Sequence, residues 1–306
     1  MTLLGRAFRP LLLAIAMFLP AGATAHAEKV SIIVPNALPD AAAVDRLDGG
    51  YTDFGTDVLH VSPHWFLMGK KDMRALGGTA AQITYLRNTP DATLRERVEK
   101  FARRKLPMPA ALYDGWLLLD FEQPVHPRNF DKLSDAEIGG ITAEWRRRID
   151  VARAVFPRAR VMLYGFPTMS HHRATKGIDT AWDGMVRAGR AGLFARVDAI
   201  APVLYARHGP ADRVYGRAEG LIAGTGIQLA KRLQTEVAPH LAIFPLLSLR
   251  VFNGNSDNHR ERIETSYLQR TVSILRSEGI TSYGIWSQDP DDLAFLAALR
   301  GMVWGY

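Results

Sequence analysis

The chain has 306 residues, a hydrophobic fraction of 47% and a formal net charge of +7. It contains no cysteine, which excludes disulfide bonds and cysteine-linked lipid anchors. The length suits one α/β barrel or two smaller domains, and because no linker or internal repeat divides the sequence, a single domain is predicted. The basic residues are scattered, which is typical of a solvated surface; attraction to an acidic polysaccharide is the alternative interpretation.

The first 27 residues are predicted to be a secretory signal peptide. Arg6 and Arg9 precede an apolar stretch over residues 11–19, and the small residues at positions 25 and 27 offer a signal peptidase site. Residues 28–306 are therefore predicted to form one catalytic domain that is exported, either to the periplasm or outside the cell. No stable membrane insertion is expected after cleavage, and export argues against a nucleic-acid partner.

Eight short apolar runs alternate with segments of helical character, which predicts parallel strands covered by helices. The runs span residues 30–34, 58–61, 82–86, 116–121, 160–165, 199–204, 241–247 and 282–286. About eight such units in one chain predict an α/β fold, namely a single TIM-like (β/α) barrel, regular or distorted, with seven or eight parallel strands.

Helices between these runs are marked by their boundaries. Ser134 and Glu137 form a capping-box pattern ahead of an apolar stripe that stops at Pro157. Further helices are predicted over residues 91–104 and 260–277.

The fourth run ends in two acids, Asp120 and Glu122, within the segment YDGWLLLDFEQP at residues 113–124. Alternate side chains of a strand share a face, so the two carboxyl groups are predicted to lie roughly 6–7 Å apart on one side. They follow the carboxyl end of the strand, where barrel active sites form. Carboxylates this close disfavour each other's ionisation, and a proton donor beside an anion is what glycosidic bond cleavage requires. The alternative is that the acids cap the next loop or pair with Arg128.

Three later runs leave aromatic residues at their ends, namely Tyr164, Tyr205 and Trp286. Taken singly, each is typical of core or rim packing. Together with the acid pair they predict a sugar-binding cleft, because aromatic faces stack on sugar rings and phenol hydroxyls reach polar substituents.

These motifs carry a resemblance to a known family. The segment GWLLLDFEQPVHPRNF at residues 115–130 resembles the hyaluronidase motif of a glycine, four mainly apolar residues, Asp-aromatic-Glu and a later Arg-Asn-aromatic. YGFP at residues 164–167 resembles a motif on a later strand of that family. LY at 204–205 and IW at 285–286 follow in the family's order, and GG at 77–78 has a counterpart ahead of the acidic strand.

The resemblance implies a distorted (β/α) barrel and an endo-acting glycoside hydrolase of N-acetylhexosamine-containing polysaccharides, without metal or organic cofactor. It implies that Glu122 is the general acid and base. Asp120 would orient the acetamido oxygen of the substrate, which acts as the nucleophile, with help from the hydroxyl of Tyr205. Tyr164 and Trp286 would line the subsite of the cleaved sugar. A polysaccharide, acidic or neutral, is the expected partner, and a monomer is the expected state.

The sequence departs from the family at the predicted cleft walls. The family's catalytic domain is normally held by disulfides, whereas this chain has no cysteine. TMSHH at residues 168–172 replaces an acidic-Cys-Tyr-Asn continuation, and QPVHP at residues 123–127 replaces a Trp-Arg-Pro pattern. Another N-acetylhexosamine glycan, such as a cell-surface polysaccharide or peptidoglycan, therefore remains open as the substrate.

Two other classes of function remain open. A non-catalytic periplasmic or cell-surface glycan-binding protein would keep the same aromatic cleft, and a barrel enzyme of another chemistry, such as deacetylation, would depend on a metal. His126, His171, His172 and His208 lack the spacing of a metal site, so no metal is predicted.

Overall fold

The computed structural model of the protein describes residues 28–35, 37–45, 47, 52–66, 76, 78–122, 124–167, 179–206, 217–252, 261–287, 289 and 291–304. The predicted signal peptide and the departing segment at residues 168–172 lie outside these ranges. Within them, no helix combines the length and the apolar character needed to cross a bilayer.

Nine strands are formed by the described residues, and their ladders are all parallel. In chain order they are β1 Glu28–Ile33, β2 Thr52–Gly55, β3 Val58–Val61, β4 Trp116–Leu119, β5 Arg160–Tyr164, β6 Ala199–Ala201, β7 Ala242–Ile243, β8 Leu246–Ser248 and β9 Ser282–Trp286. One sheet has the order β2-β1-β9-β8 and the other the order β3-β4-β5-β6-β7. The predicted α/β class with parallel sheets is thus confirmed.

The two sheets are connected by two interrupted runs of chain. Residues 56–57 separate β2 from β3, and residues 244–245 separate β7 from β8. The first half of each run pairs with one sheet and the second half with the other. Leu246 marks the second crossing, because it bridges to Val203 and also pairs with Gly284 of β9. When each interrupted run is counted once, seven runs of chain carry the strands.

The prediction of a closed barrel is not met by hydrogen bonding, because β1 and β3 share no ladder among the described residues. Side chains cross this seam instead. Lys29 Nζ and Ser31 Oγ of β1 donate hydrogen bonds of 2.7 Å each to the carboxylate of Asp57, which lies in the first interruption. The interruption ends the backbone pairing between β1 and this run of chain. Side-chain hydrogen bonds therefore connect β1 to the residue that precedes β3.

Helices cover the outer faces of the sheets. They are α1 Ala41–Asp45, α2 Pro63–Phe66, α3 Gly78–Asn88, α4 Asp91–Lys105, α5 Asp135–Val155, α6 Asp179–Arg190, α7 Arg217–Glu236, α8 Thr265–Ser277 and α9 Asp291–Val303, with 3₁₀ turns at Ala110–Leu112, Pro127–Lys132 and Leu193–Arg196. The predicted capping box begins α5, since the Ser134 hydroxyl accepts from the Glu137 amide and the Glu137 carboxylate accepts from the Ser134 amide. Of the other two predicted helices, α4 matches, and α8 begins at Thr265 rather than at residue 260.

One strand prediction is wrong, because residues 82–86 lie inside α3. The segment QITYL has β-branched residues, but Leu86 is fully buried and Ile83 packs beside the same core cluster, which a helical spacing allows. Tertiary packing therefore overrides local strand propensity here. The strand β2 was not predicted, because its four residues carry only one large apolar side chain, Phe54.

An inner core lies between the two sheets. It consists of Ile33, Val58, Trp116, Leu118, Met162, Ala199, Ala201, Val203, Tyr205, Phe244, Leu246 and Trp286. Along β4 the side chains of Trp116 and Leu118 enter this inner core, whereas Leu117 and Leu119 pack toward the helices. This alternation fixes the direction in which residues just beyond β4 project.

Trp145 of α5 packs behind the end of β4. Its fully buried ring lies 5.2 Å from Phe121, 5.6 Å from Phe130 and 5.9 Å from Phe166, measured between centroids. We expect Trp145→Ala to lower the free energy of unfolding by about 3–5 kcal/mol, because it leaves a cavity among three rings. Urea unfolding measures this loss. Leu112→Ala, at a side chain that is 55% exposed, should change it by less than about 0.5 kcal/mol; equal losses in the two variants would contradict the prediction.

Candidate active site

The acid pair lies at the carboxyl end of β4, beside β3. The amide of Asp120 donates to the carbonyl of Val61 at 3.2 Å, which continues the pairing of β4 with β3 by one residue. Phe121 is fully buried against Trp145 on the helical side. Asp120 and Glu122 therefore flank a side chain that points outward, as the two-residue period of a strand predicts.

The two acids differ in their surroundings. The side chain of Asp120 is 14% exposed and that of Glu122 is 38% exposed. Burial holds the pKa of the Asp120 carboxyl well above its ordinary range, and the negative charge of Glu122 raises it further, while His126 acts in the opposite direction. The Oδ1 atom of Asp120 is buried and has no hydrogen-bond partner among the described residues. Asp120 is thus the less accessible acid, with a raised pKa, and Glu122 is the more accessible one.

His60 on β3 also faces this position, and it was not predicted from the sequence. It is registered opposite Leu118, so its side chain shares the inner face with Asp120, and its Nε2 lies 3.7 Å from Asp120 Oδ2. Burial lowers the pKa of His60 to about 3, against an opposing effect of Glu122. The imidazole is therefore neutral near pH 7. The only sequence signal was one polar residue inside the apolar run VLHV at residues 58–61.

The three predicted aromatic residues come together, and two of them, Tyr164 and Trp286, contact His60. Ring centroids lie 6.5 Å apart for Tyr164 and Tyr205, 5.9 Å for Tyr164 and Trp286, and 6.2 Å for Tyr205 and Trp286. The His60 ring meets Trp286 edge-on at 4.7 Å. Tyr205 and Trp286 are only 1% and 8% exposed, so they lie at the base of the candidate site. The half-buried Tyr164 is the more accessible ring. The Nε1 donor of Trp286 is buried without a hydrogen-bond partner in the described chain.

A turn after β5 holds Tyr164 at the site. Gly165 follows it with a φ of 72°, a left-handed conformation that favours glycine, and its amide donates to the carbonyl of Ala201 at 2.9 Å. Phe166 is then buried in the outer core. The YGFP segment therefore ends a strand, places Tyr164 beside His60 and anchors the turn.

Glu122 contacts His126, which lies four residues further along the chain. Their Oε1 and Nε2 atoms are 3.2 Å apart. His126 was weighed from the sequence only as a metal ligand. Within the described ranges no group of three or more His, Asp and Glu side chains could hold a metal ion, and His171, His172 and His208 lie outside those ranges.

The buried histidine predicts a specific acid sensitivity of the fold. His60 stays neutral in the folded protein down to about pH 3, whereas the unfolded chain binds a proton at its ordinary pKa of 6.5. The unfolded state thus binds more protons within this window, so stability falls as the pH falls through it. At pH 4 the His60 contribution to this loss is about 3 kcal/mol. Urea unfolding at pH 7 and pH 4 should show a loss smaller by that amount in His60→Gln; identical pH dependence in both proteins would contradict this assignment.

Comparison with known proteins supports the fold at low sequence identity. No protein-family model and no curated protein matches the chain. The crystal structure of bee venom hyaluronidase matches 69% of this chain and 75% of that chain with 14% identity and a TM-score of 0.50. Its complex with a hyaluronic acid tetramer matches 71% and 74%, with 14% identity and a TM-score of 0.46.

A bacterial structure is also similar. The glycoside hydrolase domain of PgaB (BpsB) from Bordetella bronchiseptica matches 70% of this chain and 61% of that chain, with 14% identity and a TM-score of 0.43. The match to bee venom hyaluronidase at a TM-score of 0.50 shows a fold like that of a glycoside hydrolase, and at 14% identity it does not assign the chain to a family.

Proposed function

We propose that this protein is an exported glycoside hydrolase that cleaves an N-acetylhexosamine-containing polysaccharide by a substrate-assisted, retaining mechanism. The observation that carries the proposal is the acid pair. Asp120 is largely buried, has a raised pKa and has an Oδ1 without a hydrogen-bond partner among the described residues; it stands beside the more accessible Glu122 at the carboxyl end of a parallel strand. The similarity of the fold to that of a glycoside hydrolase supports this use of the pair.

The two carboxyl groups would divide the work by their environments. Two neighbouring carboxylates repel each other, so the pair with one bound proton is favoured over the pair with two negative charges. In the unliganded protein burial favours that proton on Asp120. An acetamido N–H that donates to Asp120 stabilises its ionised form, which leaves the proton to Glu122. Substrate binding would thus prepare Glu122 as the acid, because only an N-acetylated sugar supplies this donor.

The reaction would proceed in two steps. Glu122 gives its proton to the glycosidic oxygen while the acetamido oxygen attacks the anomeric carbon, and the glycosidic bond breaks. The Glu122 carboxylate then takes a proton from a water molecule that attacks the same carbon and releases the acetamido oxygen. The hydroxyl of Tyr205 would help to orient the acetamido group, and Tyr164 and Trp286 would line the subsite of the cleaved sugar.

Three further parts of the proposal rest on the sequence. They are cleavage inside the polymer, a monomeric state, and export to the periplasm or the medium. The formal net charge of +7 falls to +5 when Arg6 and Arg9 leave with the signal peptide, and this positive charge supports an acidic polysaccharide such as hyaluronan among the candidate substrates.

Release of reducing ends by the purified protein of residues 28–306 tests the proposal. The panel contains hyaluronan, chondroitin, chitin oligomers and peptidoglycan, each beside its deacetylated form. We expect release from at least one polymer and only from the acetylated form. Release that is indifferent to the acetyl groups would contradict the substrate-assisted mechanism. Binding without release from any polymer would favour a non-catalytic glycan-binding protein, and release of acetate alone would favour a deacetylase.

A further inference from the structure

His126 has two polar contacts that leave it a single arrangement. Its Nδ1 accepts a hydrogen bond of 3.2 Å from the backbone amide of Arg128, which makes it the N-cap of the 3₁₀ turn at Pro127–Lys132. Its Nε2 lies 3.2 Å from Oε1 of Glu122. The imidazole is thus held from one side by the backbone and faces the carboxyl group with the other.

The backbone contact determines which nitrogen carries the proton. A neutral imidazole has one N–H donor and one acceptor nitrogen. Since Nδ1 accepts the amide of Arg128, the hydrogen of neutral His126 is on Nε2, the atom that lies 3.2 Å from Oε1 of Glu122. The N–H of the neutral ring is therefore on the nitrogen nearest the carboxyl group.

We propose that His126 is a positioning residue of the active site, whose Nε2–H, on the atom 3.2 Å from Oε1 of Glu122, orients the carboxyl group that exchanges a proton with the glycosidic oxygen and with water. This inference rests on the proposed function. Glu122 is 38% exposed, and a carboxyl group on so accessible a flexible side chain samples several rotamers unless a neighbour holds it. Acid–base catalysis requires the carboxyl group within hydrogen-bond reach of the reacting oxygen.

The contact also bears on the second step, because an N–H donor beside Oε1 stabilises the carboxylate that must take a proton from water.

Two substitutions separate this role from that of an ordinary N-cap. His126→Asn keeps an acceptor for the Arg128 amide, because asparagine is a favoured N-cap, but its short amide does not extend to Glu122. His126→Gln places an amide N–H near the position of Nε2. We expect His126→Asn to lower kcat about 10²-fold with little change in KM and in the free energy of unfolding, and His126→Gln to recover most of that loss.

The outcomes separate this inference from the proposed function. If wild-type turnover depends on Glu122 and His126→Asn equals wild type, the positioning role is wrong and the function stands. If His126→Asn and His126→Gln lose the same kcat and both are less stable than wild type, His126 is a structural cap and the positioning role is wrong. If the wild-type protein releases nothing from any polymer, the proposed function falls and the role of His126 falls with it. Histidine ¹⁵N NMR adds a readout without substrate: a proton on Nδ1 of neutral His126 would show that no N–H is available for Glu122 and would overturn the positioning role.

Discussion

Glu122→Gln should reduce the release of reducing ends by about 10²–10⁴-fold while polysaccharide binding is retained. Glutamine keeps the size of the side chain and its contact distance to His126 but cannot give or take the catalytic proton. Glu122 is 38% exposed, so the substitution removes no buried packing. Initial rates and equilibrium binding, both measured on the most responsive polymer, test the two parts of this prediction separately.

A matched control is available on the surface of α4. Glu99→Gln makes the same chemical change at a carboxylate whose side chain is 43% exposed and pairs with Arg103, and it should leave the rate unchanged. A Glu122→Gln protein that keeps more than about a tenth of the wild-type rate would exclude Glu122 as the general acid and base. Loss of binding together with turnover would instead point to a misfolded protein, which circular dichroism would detect.

Asp120→Asn should lower turnover by about 10²-fold or more without destabilising the protein at neutral pH. Asparagine offers no carboxylate to orient the acetamido group, and it cannot release a proton to Glu122 when substrate binds. The loss should appear in kcat, because the orienting contact serves the reacting geometry. Steady-state kinetics on an acetylated oligomer measure both parameters.

The same variant has a stability signature with a defined sign. The folded-state pKa of Asp120 is raised by burial and by Glu122, so between its ordinary value and the raised value the folded protein keeps a proton that the unfolded chain has lost. Wild-type stability therefore falls as the pH rises through this window, and the full cost of ionisation is present above it. Asparagine carries no charge, so the stability of Asp120→Asn relative to wild type should increase from pH 4 to pH 8. Urea unfolding at several pH values measures this difference.

Asp114→Asn is the control for this pH dependence, because the Asp114 side chain is 76% exposed. Its stability relative to wild type should vary little with pH. If Asp120→Asn were destabilised equally at all pH values, the carboxyl would be a structural hydrogen-bonding group. Full activity in Asp120→Asn would exclude it from the reaction.

Local patterns in the sequence were sufficient for much of the fold and for the acid pair. Seven of the eight predicted runs contain strands, and the capping box at Ser134 begins α5. The two-residue period of a strand predicted that Asp120 and Glu122 share a side, with Phe121 turned outward. Each of these features depends on residues within a few positions of one another, which is why they can be read without the fold.

The partners of the acids required the tertiary structure. His60 approaches Asp120 only because β3 and β4 pair in the register that places His60 opposite Leu118. No local pattern records which strand lies beside which, or with what register. His126 was visible in the sequence, but its tautomer follows from the contact with the Arg128 amide, which exists only in the folded turn.

The burial of the site residues and the closure of the barrel also depend on the whole fold. The raised pKa of Asp120 and the lowered pKa of His60 both arise mainly from desolvation. Neither β3 nor β4 alone would bury these side chains. The interruption at residues 56–57 leaves β1 and β3 without a ladder, although the apolar pattern suited a closed barrel. The sequence by itself determined which residues form strands and which face their acids share. Only the tertiary structure decided what surrounds those acids, because desolvation and strand register depend on residues that are distant along the chain.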